Sequence, residues 1–399
     1  MPGPPPPGAL RTLAGAPLAN LDLCAERHEA LFTPPAFVAS RLTALLADPR
    51  DAPLLFALLN VAALVPPAAV ALLLSPPSHA AGAAYFAAVY ALFAQRFLLA
   101  LHFSQHRRLF KPGACRRLGV RHGSRADTPH APLRRTTGFG ALNALGPALG
   151  VFFGVPPGVY RLFHCVLHHG GGNGAGADIS STERYSRGSL LHFAYYWLRF
   201  ALFAWLTLPL VALRQRRPAL ALRCAAGIAA FACAHAAAKR VNPVAALWLF
   251  GVPYGATTLL GMLGNWSQHV FLRPEAPRSA LGMTYTCVNH ADNQRTFNDG
   301  YHAGHHANGR LHWTELPGSF MASLPAHAAA DALVFHGVHF FEVGIAVLLG
   351  RSAGLRFLAR RYVRVGQPLR DEAALVAELR RRLAPIRIDA AAVAGKHAD

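Results

Sequence analysis

Long apolar segments that end in histidines constrain this chain more than any other feature. Nine of its 21 histidines fall into four sets: His102/His106, His164/His168/His169, His269 alone, and His302/His305/His306. Each set lies at or near the end of such a segment. Imidazole is the commonest metal ligand among side chains. Nine are too many for one ion and about right for two. A membrane-embedded two-metal site is the expectation.

Composition agrees with the membrane half of that statement. The chain is 53% apolar and 15% charged, against about 25% charged residues in soluble domains. A net charge of +20 raises nucleic acid as a partner. The basic residues, however, sit between apolar stretches and are not gathered on one polar domain, so no nucleic acid is expected. The cysteines show no C-x-x-C pair, which argues against a disulfide framework or a thiolate zinc site. The N-terminus, M-P-G-P-P-P-P-G, reads as disordered, without the basic-then-apolar pattern of a signal peptide.

A spanning helix needs about 20 apolar residues. Residues 53–75, with a Pro66-Pro67 pair expected to kink them, and 80–101 qualify and form a hairpin. Nine basic residues between Arg107 and Arg135 oppose the single acid Asp127. That excess marks the cytoplasmic side, so His102 and His106 sit at the cytoplasmic mouth of the second helix. Residues 142–160, broken by prolines and glycines, read as re-entrant or interfacial. Stretches 189–213, 219–238 and 244–264 follow. If all three crossed, His269 and the last set would face away from the first two sets. Residues 189–213, which carry His192 and Arg199, are therefore expected to lie in the interface. Residues 332–349 and a tail with ten arginines between 351 and 387 are also expected to stay on the membrane surface, ending in an amphipathic helix over 371–384. The expected fold is all-α and integral to the membrane. It has four transmembrane helices in two hairpins, a cytoplasmic histidine-rich di-metal cap and interfacial helices. Its parts are an N-terminal segment 1–50, a membrane domain 51–330 and a C-terminal part 331–399.

Residues four apart share a helix face. His102 and His106 are thus expected to grip one ion. His164 and His168 share a face, while His169 points about 100° away toward a second ion. His302 pairs with His305 and His306. Asn265 lies one turn before His269, and its amide oxygen is a weak or water-mediated ligand. Imidazole suits Fe, Zn, Cu and Ni, so ligand type does not name the metal. Four or five ligands per ion leave a position open, which fits oxygen chemistry better than structural support. The remaining histidines, such as His28, His122, His235 and His397, read as surface or core residues. His336, His339 and Glu342 read as part of a membrane-lying helix.

The sets H-x-x-x-H, H-x-x-x-H-H and H-x-x-H-H, in that order around two hairpins, resemble the integral-membrane fatty acid desaturases. The stretches F-H-C-V-L-H-H, N-W-S-Q-H and N-D-G-Y-H-A-G-H-H-A-N-G-R-L-H-W-T-E-L-P carry the likeness, over residues 50–330. The resemblance implies that the nine histidines hold two Fe ions, with Asn265-x-x-x-His269 matching a further ligand region. It implies that O2 and two electrons from a separate donor of cytochrome b5 or ferredoxin type introduce a double bond into a fatty acyl lipid or acyl-CoA. The second set has three residues before its histidine pair where many acyl-CoA desaturases have two, and no H-P-G-G heme segment is present. Metal-bound imidazoles need hydrogen-bond partners that fix their tautomers. Asp292, Asn298, Asp299 and Glu315 are the expected partners, with Asp178 and Glu183 as lesser candidates. The same chemistry leaves lipid hydroxylation open as an alternative. A metal transporter is less favoured, because its ligands would lie near the bilayer midplane. The expected setting is the endoplasmic reticulum membrane with the site facing the cytoplasm, a plastid membrane being the alternative.

Overall fold

The computed structural model describes residues 10–111 and 141–386. Most of the basic run expected to mark the cytoplasmic side, the N-terminal Pro-rich segment, His122, His397 and the last residues of the tail lie outside them. Among the described residues, five helices are long and apolar enough to cross a membrane: α1 (Pro49–Leu74), α2 (His79–His106), α3 (Leu190–Arg214), α4 (Pro218–Val241) and α5 (Pro243–Gln268). The extra one, α3, is the stretch expected in the interface. Capping side chains set the helix starts. Ser78, Ser189 and Asn242 each accept a hydrogen bond from a backbone N–H in the first turn, which satisfies donors that have no partner within the helix. Helix α1 continues through Pro66 and Pro67 without a break.

Contacts divide the chain into two compact units. One comprises residues 28–111, 141–160 and 223–255. In it Phe97 stacks on Phe153 at 4.2 Å between ring centroids. The Asn242 amide donates to the Ser75 carbonyl (2.9 Å), tying the α4–α5 turn to the end of α1. Helices α4 and α5 run side by side, with the Phe231 and His235 rings both 5.4 Å from Phe250.

The other unit comprises residues 10–27, 161–222 and 256–386. It holds α6 (His302–Ala307), α7 (Phe340–Arg360) and α8 (Glu372–Arg382). It also holds short strands absent from the all-helical expectation. Strand β1 (Arg11–Thr12) pairs antiparallel with β4 (Val363–Arg364), and β2 (Thr286–Val288) pairs parallel with β3 (Val334–His336). The stretch expected as one membrane-lying helix over 332–349 is thus a strand followed by a helix. His339 and Glu342 form a capping box at the start of α7, which accounts for both without a metal.

The expected terminal helix is present as α8. Its Leu375 and Leu379 are buried, and Asp371 caps its first turn. Burial alone would raise Glu378, but hydrogen bonds from Arg381 and Arg382 hold it down at about 2. An ordinary glutamate titrates near 4.3. A depressed carboxyl contributes stability that is present above its unfolded value and is lost as pH falls through the folded one. Glu378→Gln is therefore expected to lower Tm at pH 7. The gap to the unsubstituted protein should close between about pH 4.5 and pH 2, as followed by melting curves across pH. A constant gap would contradict this assignment.

Candidate metal centre

The segment Arg161–His168 winds as a π-helix and continues into a short turn over His169–Gly171. This changes the pairing expected from α-helical spacing. A π-helix bonds i to i+5, so His164 meets His169, their Nε2 atoms 3.1 Å apart. His168 turns instead toward His269, Nε2 to Nε2 at 3.1 Å. The expectation that His164 and His168 serve one ion and His169 another is corrected by one residue of helical phase. In α6 the regular spacing holds: His302 and His306 bring their Nε2 atoms to 3.1 Å. His305 faces His169 and His164, at 4.7 and 6.3 Å between ring centroids.

His168, His269, His302 and His306 each offer a nitrogen, and these four lie within 4.8 Å of one another. His269, which stands alone in sequence, closes the group from the end of α5. In the other unit His102 and His106 lie one turn apart at the end of α2, with ring centroids 5.1 Å apart. His102 Nδ1 is 3.2 Å from the Tyr160 hydroxyl.

Hydrogen bonds on the far side of the rings define what these nitrogens can do. His269 Nδ1 lies 2.9 Å from the Met283 carbonyl, an acceptor only, so Nδ1 carries the proton. Burial, reinforced by His168 beside it, pushes His269 down to about 3, so at neutral pH its Nε2 presents a lone pair. His168 Nδ1 is 2.8 Å from Asp178 Oδ2, and both side chains are buried. Burial would raise Asp178, but His168 and Ser180 hold the carboxyl below its ordinary value. Asp178 is thus an ionised acceptor, and it fixes the His168 proton on Nδ1. The two Nε2 atoms thus face each other at 3.1 Å, where one ion can touch both. Nitrogens bound at about 2.1 Å to one ion lie about 3 Å apart at roughly right angles. The four-histidine group therefore fits a metal ion in spacing and in donor type.

The family profile described as Fatty acid desaturase matches residues 127–329, just over half the chain. The chain belongs to the fatty acid desaturase family. The matched region contains seven of the nine histidines, with His102 and His106 preceding it. No curated protein and no solved structure matches it.

In this family member the histidine partners differ in rank from those expected. Asp178, a lesser candidate, makes the closest contact. Asp299 Oδ1 lies 3.6 Å from His302 Nδ1, too far for a hydrogen bond, and its other oxygen accepts from the Gln268 amide at 2.8 Å. Burial pushes Asp299 up to about 7, with Gln268 opposing. Asn298 accepts from Arg27 and donates to the Trp313 carbonyl. Asp292 lies beside His290 and Arg295. Glu315 is exposed, in the short turn Trp313–Glu315. Glu183 accepts from Arg278 and the Ala175 N–H. The Asn265 amide nitrogen donates to Ser180 O and Tyr196 Oη. Met283 and Tyr160 were not singled out from sequence. A main-chain carbonyl carries no residue signature, and a hydroxyl far along the chain becomes a partner only through the fold.

Proposed function

We propose that this protein is a membrane di-iron fatty acyl desaturase that introduces a double bond using O2 and two electrons from a separate donor of cytochrome b5 or ferredoxin type. The observation that carries this reading is the convergence of nitrogens from His168, His269, His302 and His306 within 4.8 Å of one another, in a chain of this family. His168, His269, His302 and His306 would hold one iron. His102, His106, His164, His169 and His305 are the further histidine ligands of this two-iron reading, with Asn265 as a weak one. Iron bound by imidazoles supplies oxygen-activating redox chemistry. The chain's own part is orientation. Asp178 and the Met283 carbonyl hold the Nδ1 protons of His168 and His269, so that both rings present Nε2 inward. Asp292, Asn298, Asp299 and Glu315 stay as outer candidates, with Asp299 the nearest of these to a ligand.

We further propose four crossings, with α3 lying in the interface and the histidines facing the cytoplasm of the endoplasmic reticulum. The course of α3 supports this. Its first turns pack on the end of α5, where the Phe193 and Tyr196 rings lie 5.6 and 5.1 Å from Trp266. Its last residue leads within four residues into α4. The helix also carries His192 and Arg199 and ends in Arg214, which suits a helix running along the membrane. The three parts 1–50, 51–330 and 331–399 remain our functional division.

The test is expression in a yeast host with mass-spectrometric lipid profiling, using His305→Ala as the control. A new unsaturated lipid that disappears in the variant is the expected result. A hydroxylated product would favour the monooxygenase alternative. Purified protein that binds no metal would overturn the reading.

A further inference from the structure

The loop between the second histidine set and α3 is fastened by a buried cation that is not a metal ligand. Arg187 is fully buried. Its guanidinium donates to the carbonyls of Thr182 (3.1 Å), Glu183 (3.2 Å) and Tyr185 (3.2 Å) in its own loop. It also donates to Val270 (3.0 Å), the residue after His269. The remaining donors reach Arg382 O at 3.0 Å and Ala384 O at the end of α8. Main-chain bonds run alongside: Arg187 N to Leu383 O (2.9 Å), Leu272 N to Arg382 O (3.1 Å) and Ile386 N to Glu183 O (2.8 Å). Thr182 Oγ1 donates to the His269 carbonyl at 2.9 Å. Three segments, 182–187, 270–272 and 382–386, therefore meet at one side chain. Two of them adjoin the metal centre, because Ser180 braces Asp178 against His168 and Val270 follows His269.

Burying a guanidinium is costly unless its donors are satisfied. Here six main-chain carbonyls satisfy them, so the site specifies the path of three backbones and not the nature of their side chains. Only arginine supplies five donors in a planar fork; lysine offers three from one point.

We infer that Arg187 is a positioning residue: it straps the C-terminal segment 382–386 across the loops behind His168 and His269 and so sets the spacing of these two ligands. This rests on the reading of the histidines as metal ligands. The experiment is a Co2+ titration of purified full-length protein, followed by visible d–d absorption, with Tm measured in parallel in chelator. The variants are Arg187→Lys and a chain ending at Arg382. Both are expected to bind Co2+ about tenfold or more weaker, as loss of a residue that orients ligands does. An altered band shape is expected, which a loss of stability alone would not produce, whatever the fall in the metal-free Tm. Wild-type affinity and band shape in both variants would overturn the inference, as would variants that fail to fold even in saturating Co2+, since Arg187 would then be a structural anchor only. An unsubstituted protein that binds no Co2+ would overturn the metal reading itself, which is a separate and recognisable result.

Discussion

Alanine at position 269 is expected to remove metal from the four-histidine group and to abolish any lipid product. His269 supplies one of four converging nitrogens and is itself oriented by the Met283 carbonyl. Losing a residue that merely orients a ligand weakens metal binding about 10- to 100-fold, so losing the ligand should exceed that. The effect is read as metal per protein by mass spectrometry and as loss of the chelator-sensitive part of Tm. His235→Ala is the matched control: His235 of α4 stacks on Phe250 of α5 at 5.4 Å and should keep wild-type metal content. Equal metal in the His269 variant and the unsubstituted protein would refute the assignment.

The second large effect concerns packing behind the same histidine. At Gly344 in α7, a Cβ would lie 1.8 Å from Ser267 Oγ and 2.8 Å from Ser267 Cβ. Ser267 is fully buried and stands two residues before His269. Gly344→Ala must therefore push α7 away from the end of α5, at a cost of about 1–3 kcal/mol for overpacking. Tm in detergent should fall, and Co2+ binding should weaken as His269 shifts. The double variant Ser267→Gly/Gly344→Ala leaves Ser267 Cα, at 3.5 Å, as the nearest atom, which is ordinary contact. It should recover most of the loss, short of about 1 kcal/mol for a helical glycine. If the double variant is no better than Gly344→Ala alone, close approach is not the reason for the glycine.

The apolar segments and the histidine sets were legible because each is a local property. Hydropathy over about 20 residues gives a helix, and the spans found coincide with those stretches to within a few residues. Spacing was less reliable than composition. The i, i+4 rule assumes 3.6 residues per turn, and the π-winding of Arg161–His168 moved His164 onto His169 and freed His168 for His269. The supporting residues were least legible. Asp292 and Asn298 flank the last set in sequence but turn to Arg295 and Arg27, whereas Asp178, ten residues after His168, reaches it directly. Arg187 has no sequence signature, because its partners are carbonyls from three distant segments.

By itself, the sequence determined that this chain has several helices apolar enough to cross a membrane and that nine of its histidines fall into four sets near their ends. Residue type and local period are sufficient for both. Only the tertiary structure decided which histidine faces which, what holds each ring, and that the C-terminal segment closes behind His168 and His269. Those depend on helical phase and on main-chain atoms, which side-chain identity does not encode.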